Sequence, residues 1–236
     1  MSEQTYNINV PLNIFQTWHT KTLPIGMAKS VLLIKKLNPR FNYYLYDDNE
    51  CYEFIKNNYD GSVLNAYNRL IPGAYKADLW RYCVLYKKGG IYLDIKYVPI
   101  NNFRFINLMD SEHFVFDIDN VGIYNALMVC KPGNELLLKA INKIVENVNN
   151  RFYGDNFLEP TGPIMLKKLI ENHNISVNID LKHNVFMNNN IEHKFIVVSE
   201  SKIAILRMYN GYFKERDSNS KVQHYGILWK NKNIYR

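Results

Sequence analysis

The succession of strand-like and helical patterns predicts an α/β fold of Rossmann type, a mixed β-sheet flanked by helices. Strands and helices alternate early and further strands follow late, and 236 residues suffice to bury one large core. Residues 14–18 read as a first strand and 28–37 as a helix with Val31, Leu32, Ile34 and Leu37 facing the core. Residues 41–46 alternate as a second strand, closed by Asp47-Asp48, whose carboxylates suit the N-cap of a helix starting near Asn49. A short helix over 62–70 leads to an amphipathic helix over 74–87, with Tyr75, Leu79, Tyr82 and Tyr86 in one stripe and Asp78 and Arg81 three residues apart on another face. Gly89 and Gly90 stop that helix. Ile91-Tyr92-Leu93 is too short for a helix and reads as a buried strand that delivers Asp94 at its carboxyl end. In open α/β sheets that end is where ligands bind.

The second half continues with strands over 113–118 and 123–130, a strongly periodic helix over 135–148, a helix over 163–172, and strands over 195–199 and 203–206. Thr161 is expected as the N-cap of the helix that opens at Pro163. The asparagine-rich stretch 182–193 reads as a loop, and 215–221 as a polar surface turn. Asp117 and Asp119 flank one residue, but Asn120-Val121-Gly122 follows, so a solvated turn is the leading reading, with an acceptor-facing carboxylate as the other.

Composition narrows the chemistry. The chain carries a net charge of +7, yet its basic residues are scattered in pairs such as Lys35-Lys36 and Lys87-Lys88, without the arginine-rich arm of a nucleic-acid binder. Cys51, Cys83 and Cys130 are odd in number and unclustered, which predicts reduced structural thiols. No apolar run is long enough to span a bilayer, and the start MSEQTYNINVPLNIF lacks a basic segment and apolar centre, so a soluble cytoplasmic protein is expected. There is no G-x-S-x-G, P-loop, H-E-x-x-H, C-x-x-C or helix-opening G-x-G-x-x-G.

Residues 71–98, IPGAYKADLWRYCVLYKKGGIYLDIKYV, resemble the signature of the family 32 glycosyltransferases, whose D-x-D sugar-binding region is shared in outline with clostridial glucosylating toxins. Asn13 to His19, Tyr44 to Asp48, Thr161-Gly162-Pro163 and the late His224-Tyr225 with Trp229 are similar to further positions of that family. The resemblance implies a GT-A-like fold in one domain over 1–236, with about 1–100 as the nucleotide-sugar half and about 101–236 as the acceptor side and closing tail. It implies an enzyme that transfers a hexose or N-acetylhexosamine from a UDP- or GDP-linked donor to a glycan, glycolipid or protein acceptor, with retention. The alternatives are a nucleotide-sugar hydrolase or donor-binding pseudoenzyme and, in another class, a basic nucleic-acid-binding accessory protein.

Under this resemblance the catalytic candidates are Asp94, Asp78, Arg81 and Asn125, with Asp78 and Arg81 hydrogen-bonding sugar hydroxyls. Donor contacts fall on Trp18, stacking on the base, and on Tyr92, Asp94, Lys96, Gly162, His224 and Trp229. Each has a plainer reading: a core tryptophan, an i,i+3 ion pair, a sheet tyrosine, a structural histidine. The motif departs from the family at one place, because Asp94-Ile95-Lys96 has a lysine where a second aspartate commonly binds a divalent cation. Either Lys96 sets its ammonium against the diphosphate, or it points outward and Mn²⁺ or Mg²⁺ is held by Asp94 and a residue such as His224. The expected cofactor is a divalent cation of that kind.

Overall fold

The computed structural model describes residues 6–188, 191–198, 204–219 and 223–236. A central sheet is built from β1 (Asn13–Thr17), β2 (Asn42–Tyr46), β3 (Gly90–Leu93) and β6 (Leu127–Cys130) in the order β2-β1-β3-β6. β1 runs parallel to β2 and β3, while β6 is antiparallel to β3. A second sheet has the order β4-β9-β8-β7-β5, from β4 (Tyr97–Pro99), β5 (Val115–Phe116), β7 (Leu181–Asn188), β8 (Ile191–Val198) and β9 (Ala204–Met208). The chain passes from one sheet to the other between β3 and β4, so residues 94–96 form the junction.

The first six helices form where the sequence predicts them. α1 is Ile25–Leu37, α2 Asp48–Asn58, α3 Gly61–Arg69, α4 Gly73–Lys88, α5 Glu135–Asn149 and α6 Pro163–His173. Asp47 caps α2 in a full capping box with Glu50, and Asp60 caps α3. Leu137, Ile141, Ile144 and Val148 of α5 are buried, as the period requires. All three cysteines are free and buried.

Several expectations are corrected. α4 is not amphipathic in its middle: every residue from Asp78 to Leu85 is buried, because the central sheet, α5 and the carboxy-terminal segments pack against it on several sides. On α1, Val31 and Ile34 face inward as expected, joined by Met27 and Ser30, but Leu32 is 65% exposed. The strand expected over 113–118 contracts to β5, and Ile123 to Ala126 precede β6 rather than join it. The stretch 182–193 is a β-hairpin: β7 and β8 pair from Leu181↔Val198 to Asn188↔Ile191, and cross-strand pairing with buried Leu181 and Ile196 outweighs the asparagine content. The polar segment from 215 belongs to helix α7, Tyr212–Asn219. Its Glu215 accepts from Gly26 N at 2.7 Å and Met27 N at 3.3 Å, so a tertiary contact at the start of α1 holds it. Ser220 and Lys221 of that expected turn, Ser199 and Ile203 of the late strands, and Met1 to Thr5 lie outside the described residues.

The turn after α4 is sterically demanding. Gly89 caps the helix at φ 61°, and Gly90 opens β3 at φ 122°, where a Cβ would stand 2.6 Å from Asn13 O. Gly90→Ala is therefore expected to destabilise the fold by roughly 1–3 kcal/mol in urea unfolding, whereas Gly61→Ala, with nothing near its Cβ, should stay within about 0.5 kcal/mol.

Candidate functional site

The site forms where α4, the end of β3 and the segments before β6 and α6 converge. Arg81 is 6% exposed and lies between two carboxylates, with Nη1 3.4 Å from Asp78 Oδ1 and Nη2 3.5 Å from Asp94 Oδ1. Its Nη1 also donates to Asn125 O at 2.8 Å and its guanidinium covers the Tyr92 ring at 4.3 Å, so it ties α4 to β3 and to the segment before β6. Asp94 receives the Tyr92 hydroxyl on Oδ1 at 2.8 Å and the Lys96 ammonium on Oδ2 at 2.7 Å. Four charged groups of alternating sign therefore form one chain, Asp78, Arg81, Asp94, Lys96.

Asp78 sits deepest. Asn125 Nδ2 donates to its Oδ1 at 2.9 Å and Thr161 Oγ1 to its Oδ2 at 2.7 Å. Burial pushes its carboxyl from the ordinary 3.8 up to about 6, against the pull of Arg81 and the two hydrogen bonds. Asp94 goes the other way: burial favours its neutral form, but Lys96 and Arg81 outweigh that and hold it below the usual range. The Tyr82 hydroxyl accepts from Asn125 Nδ2 at 2.7 Å and donates to Thr161 O at 3.0 Å, which closes the network.

Lys96 does not point outward. Its side chain is 20% exposed, and its ammonium lies 5.5 and 5.4 Å from the Tyr97 and Tyr124 ring centres, whose hydroxyls are 3.0 Å apart. Tyr124 stacks on His183 at 3.9 Å, and His183 Nδ1 lies 2.9 Å from Asp117 Oδ1. Asp117 caps the turn at 118–120 as the sequence suggests, but it is half-buried and also partners His183, whereas Asp119 is exposed.

The other sequence candidates divide. Gly162 stands against Asp78, where a Cβ would lie 3.6 Å from Oδ2. Trp18 follows β1, half-buried, with an indole N–H that has no partner among the described residues. His224 caps α8 (Tyr225–Lys230), its Nδ1 accepting from Gly226 N at 3.2 Å, and no contact among the described residues brings it to Asp94. Trp229 spends its indole N–H on Tyr153 O at 2.7 Å and packs on Phe157. Thr161 is not the cap of α6; Gly162 holds that position, and the Thr161 hydroxyl turns to Asp78 because a buried carboxylate is the stronger acceptor.

Sequence reasoning missed Thr161 as a site residue, together with Tyr82, Tyr97, Tyr124 and Tyr225. Tyr225 is half-buried against Tyr75 and feels the charges of Lys96, Asp78 and Asp94. Only the adjoining Thr-Gly-Pro and His-Tyr motifs signalled two of these.

A divalent cation of the kind the resemblance implies does not fit the side chains around Asp94. One carboxylate oxygen holds an ammonium, the other a hydroxyl and a guanidinium, and a metal ion on the same carboxylate would be repelled by both cations. Among the described residues no group of three or more His, Cys, Asp or Glu is placed to hold an ion.

This fold is that of a GT-A-like glycosyltransferase domain. PaToxG glycosyltransferase superposes with a TM-score of 0.56 at 18% identity, covering 70% of this chain and 71% of that one. Residues 26–115 match the family described as "Glycosyltransferase sugar-binding region containing DXD motif", a stretch that includes the motif segment 71–98. Inositol phosphoceramide mannosyltransferase 3 of Schizosaccharomyces pombe is 32% identical over 161 residues, 66% of this chain and 44% of that protein. Initiation-specific alpha-1,6-mannosyltransferase of Candida albicans is 33% identical over 96 residues, 38% of this chain and 25% of that protein. The chain spans less than half the length of these curated relatives.

Thr161→Val should leave one Asp78 oxygen without its donor and cost about 1–3 kcal/mol in chemical denaturation. The raised Asp78 carboxyl also sets a pH dependence. Holding its proton to higher pH than the unfolded chain, it contributes most below about pH 4 and loses that contribution up to about pH 6. Across that window the stability of the wild type should fall relative to Asp78→Asn by roughly 2–3 kcal/mol, read from urea midpoints at successive pH values.

Proposed function

We propose that this chain is the catalytic domain of a glycosyltransferase that moves a hexose from a nucleoside diphosphate sugar to an acceptor hydroxyl. The single observation that carries this is Asp94 at the carboxyl end of β3, joined through Arg81 to Asp78 and flanked by Lys96. The names of its relatives favour mannose as the sugar and, for several of them, an inositol phosphoceramide acceptor, which fits the glycolipid class. A GDP or UDP leaving group suits a site with two fixed cations. Among the described residues no helix is long and apolar enough to cross a membrane.

In this reading the first half of the chain supplies the donor site and the second half the acceptor side. Trp18 offers its half-buried ring to the base. The Asp78 carboxylate has capacity for about four hydrogen bonds and takes two from Asn125 and Thr161, so a sugar hydroxyl can donate a further one. Asn125, fixed by Arg81 through its carbonyl and by Asp78 and Tyr82 through its amide, orients that corner of the pocket. Asp94 accepts from sugar or ribose hydroxyls while Tyr92 and Arg81 keep it oriented and ionised. Transfer follows a front-face, retaining course: the acceptor oxygen bonds to the anomeric carbon, the bond from that carbon to the phosphate oxygen breaks, and the departing diphosphate takes the acceptor proton.

In a thermal-shift panel of GDP-mannose, UDP-glucose and UDP-N-acetylglucosamine, one donor at about 100 times its dissociation constant should add about 2.7 kcal/mol to the folded state. Asp94→Asn should remove transfer to a lipid or glycan acceptor while the protein still melts cooperatively. A variant that keeps most of its transferase activity, or a wild type stabilised by none of the donors, would refute this function.

A further inference from the structure

We propose that Lys96 is the resident cation of this site, taking the place of the divalent metal that a second motif carboxylate would hold, so that the donor diphosphate binds without metal. The inference rests on the donor-site reading above and concerns how that site meets a doubly charged leaving group.

Charge arithmetic comes first. An aspartate at position 96 would carry −1 and the lysine carries +1, a difference of two charges, which is the charge of one Mn²⁺ or Mg²⁺. With lysine in place, Asp78, Arg81, Asp94 and Lys96 sum to zero, whereas two motif aspartates would leave a net negative cluster that a dianionic ligand could approach only with a cation between them.

Geometry supports the same conclusion. The ammonium already occupies Asp94 Oδ2 at 2.7 Å, and the other oxygen is engaged by Tyr92 and Arg81, so neither is open to a metal ion. Lys96 is also seated. Tyr97 and Tyr124 lie against its ammonium, their hydroxyls are joined, His183 backs Tyr124, and the Lys96 carbonyl accepts from Tyr209 N at 3.0 Å. A lysine restrained in this way behaves as a pre-placed point charge, and its contact with Asp94 uses one of three N–H groups. The remaining N–H groups are the chemistry that phosphate oxygens require.

The test is calorimetric titration of GDP and UDP into the full chain, in EDTA and in Mn²⁺, for the wild type and Lys96→Asp. The wild type should bind one nucleotide in EDTA with an affinity that Mn²⁺ changes by less than about threefold. Lys96→Asp should lose at least about tenfold in EDTA and recover with Mn²⁺, because the variant restores two carboxylates. Wild-type binding that EDTA abolishes and Mn²⁺ restores overturns the role of Lys96 while leaving the donor site standing, and this arm decides the matter even if the variant fails to fold. Lys96→Asp binding as tightly as the wild type in EDTA also overturns it. No binding of either nucleotide in either condition overturns the donor site itself, and the lysine inference with it.

Discussion

Arg81 is almost completely withdrawn from water and cannot lose its charge, so the fold must supply counter-charges for it from two directions. Asp78, one turn earlier on α4, supplies one; Asp94, on the far side of the glycine turn, supplies the other. The second contact requires the end of β3 to lie against α4, and the Gly89-Gly90 reversal makes that approach possible. The guanidinium therefore fixes the angle between the central helix and the central sheet, and with it the position of the motif turn. Removing one partner of such a buried set typically costs about 3–5 kcal/mol, since the remaining charge is left uncompensated.

From this constraint follows the division of labour between the two aspartates. Asp78 is enclosed by neutral donors, Asn125 and Thr161, and by one guanidinium, and its proton is held more firmly than an exposed carboxyl would hold it. Asp94 stands between two cations and stays ionised. One carboxylate thus keeps its proton to higher pH while the other is held as a reliable anion. The neutral donors come from segments far along the chain, so the site and the folding core share the same hydrogen bonds.

The carboxy-terminal region closes over this centre through contacts of its own. Glu215 of α7 occupies the open N–H groups at the start of α1, Tyr209 donates to the same carboxylate, and the Tyr212 hydroxyl group feels the charges of Lys96 and Asp94. α8 brings Tyr225 against Tyr75, while Trp229 and Tyr235 are bound to the 151–160 loop.

The local pattern of residues 71–98 was sufficient to place the helix, the glycine reversal, the strand and Asp94, because each depends on neighbours within a few positions. The helices α1, α2, α3, α5 and α6 were legible for the same reason: periodicity, capping carboxylates and an N1 proline act locally. What the sequence left undecided depends on separation along the chain. Thr161 reads as a helix cap until Asp78, 83 residues away, competes for its hydroxyl. Asp117 reads correctly as a turn residue, but its pairing with His183 is not visible until the chain folds, and an asparagine-rich stretch reads as a loop until β8 pairs with it. Lys96 was visible as a departure from the motif, but whether it faced solvent or the carboxylate was settled only when Tyr97, Tyr124 and Asp94 surrounded it. The chain by itself thus determined the order of its elements and the residues that end them. The tertiary structure decided which polar groups share a buried space, because burial makes their pairing obligatory and no local pattern encodes it.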